Sequence, residues 1–370
     1  MRSHIRTLLI VALTLGLIAA FLRNANLELV WSEILRARID LIAAAIAVTA
    51  LQYVMRAVRW QYLLQPLGGA RFSTAFRTTV IGFAASAILP ARAGEVLRPY
   101  LLARWEGLSA TATFATILLE RLLDLASVVV LLALFFAFFD PGLEVVNPAA
   151  YAAVRLGGLV AGAVAVASLT GIFILARHPE ALGRWALRVE RVLPERAARA
   201  LAHAVEKFVG GLAMMRQPRR ILVAFALSIP LWLLIATTIW LSAAAFQIDF
   251  PFTSSFLFNA LLVVGVSVPT PGAVGGFHEA FRIGATVFYG APNDRAVGAA
   301  IVLHAASIVP IVLLGLVFMA QSGLDLKGIR RLAQGTRESA PSDAAEPADR
   351  PGRLVGGLAS GEAAEEGRVG

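Results

Sequence analysis

The chain has 370 residues, 58% hydrophobic and 15% charged, with a mean hydropathy of +0.74, whereas soluble domains carry about 45–50% apolar and about 25% charged residues. This excludes a water-soluble globular enzyme and, along most of the chain, disorder. The lack of cysteine removes disulfides, thiolate metal sites and a cysteine nucleophile. The net charge of +9 does not argue for nucleic acid as a partner, because Lys and Arg in a membrane protein gather in cytoplasmic loops and against anionic lipid.

A hydrocarbon core is crossed by about 20 helical residues. Apolar stretches of that order run over 6–22, 39–58, 116–139, 153–176, 221–246, 252–268 and 296–320, with a shorter one at 278–291. Arg2 and Arg6 precede the first run as in a signal peptide. No small-x-small cleavage site follows, however, and Phe21-Leu22-Arg23 reads as the retained end of an uncleaved anchor. The loop 177–220 holds ten basic residues against four glutamates, while 140–150 and 247–251 contain acids and no Lys or Arg. The positive-inside rule therefore puts the first loop in the cytoplasm and the other two outside. Stepping outward makes both termini cytoplasmic and forces 72–105 to enter and leave on the cytoplasmic face as a re-entrant hairpin. The expectation is an all-α polytopic bundle in the cell inner membrane, with about eight crossings plus broken helices, over residues 1–320.

Within the loop 177–220, apolar residues from Ala198 through Leu201, Val205, Phe208 and Leu212 to Met215 recur at helical spacing, and Pro194 separates them from a similar run upstream. Two readings are open: interfacial helices lying on anionic lipid headgroups, or a helical hairpin packed on the bundle. Beyond 320 the composition turns to Ala, Gly, Glu, Pro and Ser, and a disordered cytoplasmic tail over 321–370 is expected.

Ionisable residues at membrane depth cost about 2.5–3.5 kcal/mol each on insertion scales, so each needs a reason. Arg56, Arg59 and Trp60 end the second span and read as an interfacial anchor. Leu89-Pro90-Ala91-Arg92-Ala93-Gly94-Glu95-Val96-Leu97-Arg98 follows a marginal apolar run, and Glu120-Arg121-Leu122-Leu123-Asp124 opens the helix of 116–139. A last cluster runs from Val268 through Pro269, Thr270, Pro271, Gly272, Gly275 and Gly276 to His278, Glu279 and Arg282. The second and last share one grammar: proline, small residues, then Glu followed three positions later by Arg. Proline and glycine break helices, and the backbone groups they free are tolerated in lipid only against protein or a wet cavity. Broken helices at corresponding points of a chain mark a transporter's binding site. Glu95–Arg98 and Glu279–Arg282 are spaced for ion pairs along one helix face, and Arg121 for pairing with Asp124. His278 and His304 read as bundle residues rather than metal ligands. No nucleotide, metalloprotease or esterase motif occurs, so neither a cofactor nor catalytic chemistry is expected.

At these residues the chain resembles the transmembrane region of lysylphosphatidylglycerol synthetases, a group of flippase-like membrane proteins. The marks are Arg56-x-x-Arg59-Trp60, Leu89-Pro90-x-Arg92-x-Gly94-Glu95-x-x-Arg98, Glu120-Arg121-x-x-Asp124, and Pro269-Thr270-Pro271-Gly272 with Gly275 and Glu279. The chain departs from the family in lacking an Asn before the first proline motif and in reading Pro271-Gly272-Ala273 where Pro-Gly-Gly is usual. The tail is expected to be too short for the soluble aminoacyl-transferring domain, so lysyl transfer is not expected. The resemblance implies movement of an amphipathic lipid between leaflets.

The expected function is translocation of an anionic or isoprenoid-type lipid. Arg92, Arg98 and Arg121 would hold its phosphate, each steadied by one of Glu95, Glu120 or Asp124 in a neutral site whose acids carry a proton. Pro271, Gly272, Gly275 and Glu279 would complete the substrate site from the second broken segment. The alternatives are a secondary transporter of a small soluble anion and a non-transporting scaffold for lipid-biosynthesis enzymes.

Overall fold

A computed structural model describes residues 2–89, 92–177, 207, 208, 210–212, 214, 217–268 and 270–323. Among them there are helices and no strands: α1 (Arg2–Leu22), α2 (Leu27–Arg36), α3 (Ile39–Leu64), α4 (Phe72–Ile88), α5 (Gly94–Glu106), α6 (Ala110–Leu134), the single turn α7 (Leu143–Val146), α8 (Pro148–Arg177), α9 (Pro218–Ala245), α10 (Ser255–Ser267), α11 (Gly276–Ile283) and α12 (Asn293–Gln321). Among the described residues five helices, α3, α6, α8, α9 and α12, are long and apolar enough to cross a membrane, and the bent pair α1–α2 counts as a sixth where it is taken as one broken span.

The bend of 77° between α1 and α2 has a local cause. Asn26 caps α2 by accepting from the amides of Glu28 and Leu29 at 3.0 and 3.3 Å. Its own amide donates to Asp294 at 2.8 Å, tying the corner to the start of α12. Leu27, Leu29, Trp31 and Leu35 of α2 are exposed apolar residues. Membrane α8 is peripheral and turns Leu156, Leu159 and Val160 outward.

Two helical hairpins do not cross. The ends of α4 and α5 are joined at one face of the bundle by the Arg71–Glu106 ion pair at 3.2 Å, and α3 and α6 both meet that face, so 72–106 enters and returns. The re-entrant hairpin predicted for 72–105 is thus present. The stretches 252–268 and 278–291 differ from expectation: α10 and α11 lie back to back as a second hairpin, entering from the opposite face. The reason is length. At 13 and 8 helical residues and about 1.5 Å per residue, neither spans a core of about 30 Å. Among the described residues five helices, or six with the bent pair, are thus long and apolar enough to cross, where about eight crossings were read.

Contact between the arms of each hairpin needs glycine. A Cβ on Gly94 would overlap the Gly82 carbonyl oxygen, and one on Gly265 would overlap the carbonyl of Gly276. The two hairpins have matching neighbours. The order crossing–hairpin–crossing of α3, α4–α5 and α6 recurs upside down in α9, α10–α11 and α12. Each pairing within the first set has its counterpart in the second: α3 with α4 and α9 with α10, α5 with α6 and α11 with α12. The two sets pack chiefly through α3 against α9 and α4 against α12. This is an inverted-topology repeat, and it brings the hairpin tips together.

Most of the loop 177–220 and all of 324–370 lie outside the described residues. Near the end of the loop, Leu212 and Met214 are buried with Trp60, Leu63 and Leu64, and Phe208 packs on the same cluster. That end rests on the bundle.

Candidate functional site

The first hairpin carries the charge. Arg98 of α5 is 3% exposed, and Arg59 of α3 and Glu120 of α6 are fully buried. Glu120 stands ten residues into α6, roughly 15 Å from its start, so these groups lie well inside the apolar slab. Arg98 Nη1 donates to Glu120 Oε1 at 3.0 Å, and Arg59 Nη2 approaches the same oxygen at 3.4 Å. Arg59 Nη1 donates to Asp124 Oδ1 at 2.7 Å and to Ser228 Oγ at 2.8 Å. Trp232 Nε1 also donates to Asp124 Oδ1, at 3.1 Å, and Arg56 Nη1 lies 3.9 Å from Asp124 Oδ2. The Arg98 guanidinium sits 3.9 Å over the Trp60 ring, which Thr116 holds through a 3.0 Å bond to the indole nitrogen.

Several of these pairings differ from those the spacing favoured. Arg98 turns to Glu120 on the neighbouring helix rather than to Glu95 on its own. Glu95 instead meets Arg121 at 3.2 Å and Arg92 at 3.7 Å. Asp124 is neutralised by Arg59 and Arg56, not by Arg121. The physical reason is that α3, α5 and α6 pack together, which brings Glu120 and Asp124 of α6 within reach of arginines on the two neighbouring helices. Arg56 and Arg59 are therefore not an interfacial anchor: α3 runs on to Leu64 and carries both inside the bundle. The sequence signal was there in the apolar Leu63-Leu64 beyond them. Trp232 and Ser228 of α9 were not singled out, and polar residues in an apolar span were the only hint.

The hairpin tips meet beside this cluster. The Arg92 guanidinium donates to the carbonyl of Val266 at the end of α10, a carbonyl with no helical partner because the helix stops at Ser267. His304 Nε2 is 2.8 Å from the carbonyl oxygen of Gly272, in the turn that joins α10 to α11. Arg92, Gly272 and Ala273 all have left-handed backbone, with φ of 51°, 59° and 58°. Ala273 holds the place where a glycine is usual in the resembled family, and a Cβ there costs about 1–2 kcal/mol. His278 and His304 lie ring to ring at 4.4 Å, and the Gly275 amide donates to His278 Nδ1 at 3.3 Å. They are neighbours rather than isolated, yet among the described residues no group of three or more ligands suits a metal.

Two cavities flank the second hairpin's tip. One, of about 280 Å³, is lined by Tyr53, Phe83, Arg92, Glu95, Arg98 and Arg121 with Gly272, Ala273 and His304. The other, of about 650 Å³, runs among α6, α8, α10 and α11 past Leu132, Gly157, Val264, Gly265 and Ile283. Its wall is apolar apart from Ser267 and Glu279. Glu279 pairs with Arg282 at 2.5 Å, as the spacing predicted, and both side chains are about a fifth exposed. Of the predicted site residues, Arg92, Glu95, Arg98, Arg121 and Gly272 line the charged cavity, Glu120 and Asp124 brace it, Pro271 precedes it in the tip turn, and Glu279 lies on the apolar one. Gly275 has φ of 89° and leaves room for Leu17 of α1.

The electrostatics are unbalanced. Among the described residues, five arginines (Arg56, Arg59, Arg92, Arg98 and Arg121) line the cavity or join its wall, against three carboxylates (Glu95, Glu120 and Asp124). Nε and Nη2 of Arg98 and Nε of Arg59 are buried without a hydrogen-bond acceptor, Arg59 Nη2 and Arg56 Nη1 have only the long ion-pair contacts at 3.4 and 3.9 Å, and within this cluster the one idle acceptor is Glu120 Oε2. A buried group left unpaired costs about 1–3 kcal/mol, more when charged. The cluster thus holds more buried cationic donors than acceptors.

The pattern of a known family, the lysylphosphatidylglycerol synthase TM region, matches residues 7–315. A UPF0104 membrane protein from Methanocaldococcus jannaschii is 23% identical over 235 residues, 60% of this chain and 67% of its own length. The family match runs from α1 through both re-entrant hairpins into α12, so the chain is an integral membrane protein that belongs to the lysylphosphatidylglycerol synthase transmembrane-region family.

Proposed function

We propose that the chain is an inner-membrane lipid translocase, which carries the headgroup of an anionic lipid past the two hairpin tips while the hydrocarbon chains stay in apolar surroundings. One observation carries the reading: Arg92, Arg98 and Arg121 line one cavity in which, among the described residues, Glu95 is the single carboxylate. A guanidinium fork suits phosphate oxygens. The apolar cavity across α10 is placed to receive lipid chain. The face bearing the loop 177–220 is cytoplasmic on charge grounds, which makes both termini cytoplasmic. No covalent step belongs to this reading, and the basic loop is its contact with anionic headgroups.

The test is exchange of a fluorescent anionic lipid between leaflets of proteoliposomes containing the purified chain, with Arg98→Lys as the variant. Transport should fall roughly tenfold or more, the equivalent of one charge-assisted hydrogen bond, because a point charge on a flexible stem does not replace the fork. Undiminished exchange by a folded Arg98→Lys protein removes Arg98 from the path. Uptake of soluble phosphate without lipid exchange would move the reading to a small-anion transporter.

A further inference from the structure

We infer that the charged cavity selects a lipid phosphate carrying two negative charges, a phosphomonoester or a diphosphate, over the singly charged phosphodiester of common glycerophospholipids. The inference rests on the reading of this cavity as a lipid headgroup site and goes beyond it to the class of headgroup.

The charge count decides it. The five arginines and three carboxylates around the cavity leave two positive charges in surroundings too apolar to screen them. A phosphodiester offsets one of them, whereas a monoester above its second ionisation near pH 6 offsets nearly two. Geometry agrees with the count. Cationic side chains line the cavity from three places, Arg92 in the turn before α5, Arg98 of α5 and Arg121 of α6. A phosphate with three free oxygens meets donors from several directions, while a diester has only two such oxygens. The start of α5 adds to this: Gly94 and Glu95 line the cavity, and Ala93 caps the helix without a side-chain bond, so the positive helix end faces it. The tip of the second hairpin contributes the backbone of Gly272 and Ala273, and α12 the ring of His304, with no further carboxylate among the described lining residues.

The experiment measures binding to the purified full-length chain in neutral-lipid nanodiscs, using lipids with identical oleoyl chains. The probes are phosphatidic acid as monoester, phosphatidylglycerol as diester and diacylglycerol as the phosphate-free control, with inorganic phosphate as competitor. At pH 8 phosphatidic acid should bind about tenfold more tightly than phosphatidylglycerol. The preference should shrink toward unity at pH 5.5, where the monoester keeps about one charge. The protein's own titratable groups at the cavity are Tyr53 of α3, Glu95 of α5, Glu120 and Asp124 of α6 and His304 of α12. The diester does not titrate in this range, so any pH effect it shares reports those groups and is divided out. Arg56→Gln, which removes one surplus charge, should cut the preference several-fold, and Arg121→Gln should do the same from the opposite wall. Equal affinity for the two phospholipids at pH 8 overturns the inference while leaving the anionic-lipid reading in place. Affinity for neither above diacylglycerol overturns both. Competition by inorganic phosphate equal to that of phosphatidic acid assigns the site to a soluble anion and overturns the lipid source.

Discussion

The two re-entrant hairpins occupy equivalent places in an inverted repeat and carry the same proline–glycine–Glu-x-x-Arg grammar, yet they have different chemistry. In α4–α5 the Glu and Arg part company: Arg98 is bound across the helix interface to buried Glu120, and Glu95 holds Arg121 and Arg92 at the cavity. In α10–α11 the Glu279–Arg282 pair closes on itself, about a fifth exposed, with Asn293 as a further neighbour at 3.1 Å. One scaffold thus supplies a charged wall from its first half and backbone carbonyls, small residues and an apolar groove from its second. A spacing motif gives the residues a chance to pair. Burial and the neighbouring helix decide whether they do.

Substitutions of the acids break the comparison most directly. Asp124→Asn leaves the buried Arg59 and Arg56 short of their counter-charge and should destabilise by about 3–5 kcal/mol, seen as a large loss of thermal stability in detergent. A change no larger than that of a surface variant would show that the cluster is not coupled as its distances imply. Gly94→Ala should come next, at about 1–3 kcal/mol, because a methyl group has no room between the arms of the first hairpin. Gly290→Ala, where no atom lies near, is its control for packing, although the φ of 63° there adds some strain. Ala273→Gly should stabilise by about 1 kcal/mol by relieving left-handed backbone at the second tip. A destabilised variant would mean that the Ala273 methyl contributes packing that outweighs its backbone cost. The smallest effect belongs to Glu279→Gln, below about 1 kcal/mol as for other partly exposed pairs. A loss as large as that of Asp124→Asn would erase the distinction between the hairpins.

Much of this was legible in the residues. Length and hydropathy dictate helices, since in lipid every backbone group of a crossing must find its partner within the segment. The charge imbalance of the loop 177–220 forces 72–105 to return to its face of origin, and the Arg71–Glu106 closure bears out that hairpin. The glycines and prolines at 90–94 and 269–276 mark where helices break. The family, too, followed from four short motifs, each weak alone. The number of crossings was less accessible, because a hydropathy run records that a segment is apolar and says little about whether it turns back.

By itself, then, the sequence determined the class of fold, the location of the breaks and the residue types that enter the membrane, because these depend on local free energies of helix formation and of transfer into lipid. The tertiary structure alone decided that α10 and α11 fold back, that Arg56 and Arg59 join Glu120 and Asp124, and that Arg98 is left with donors to spare. Those outcomes depend on which helices lie side by side. An ion pair between residues 65 or 22 positions apart leaves no periodic trace, and its strength is set by the dielectric of a cavity that exists only once α3, α5 and α6 have packed.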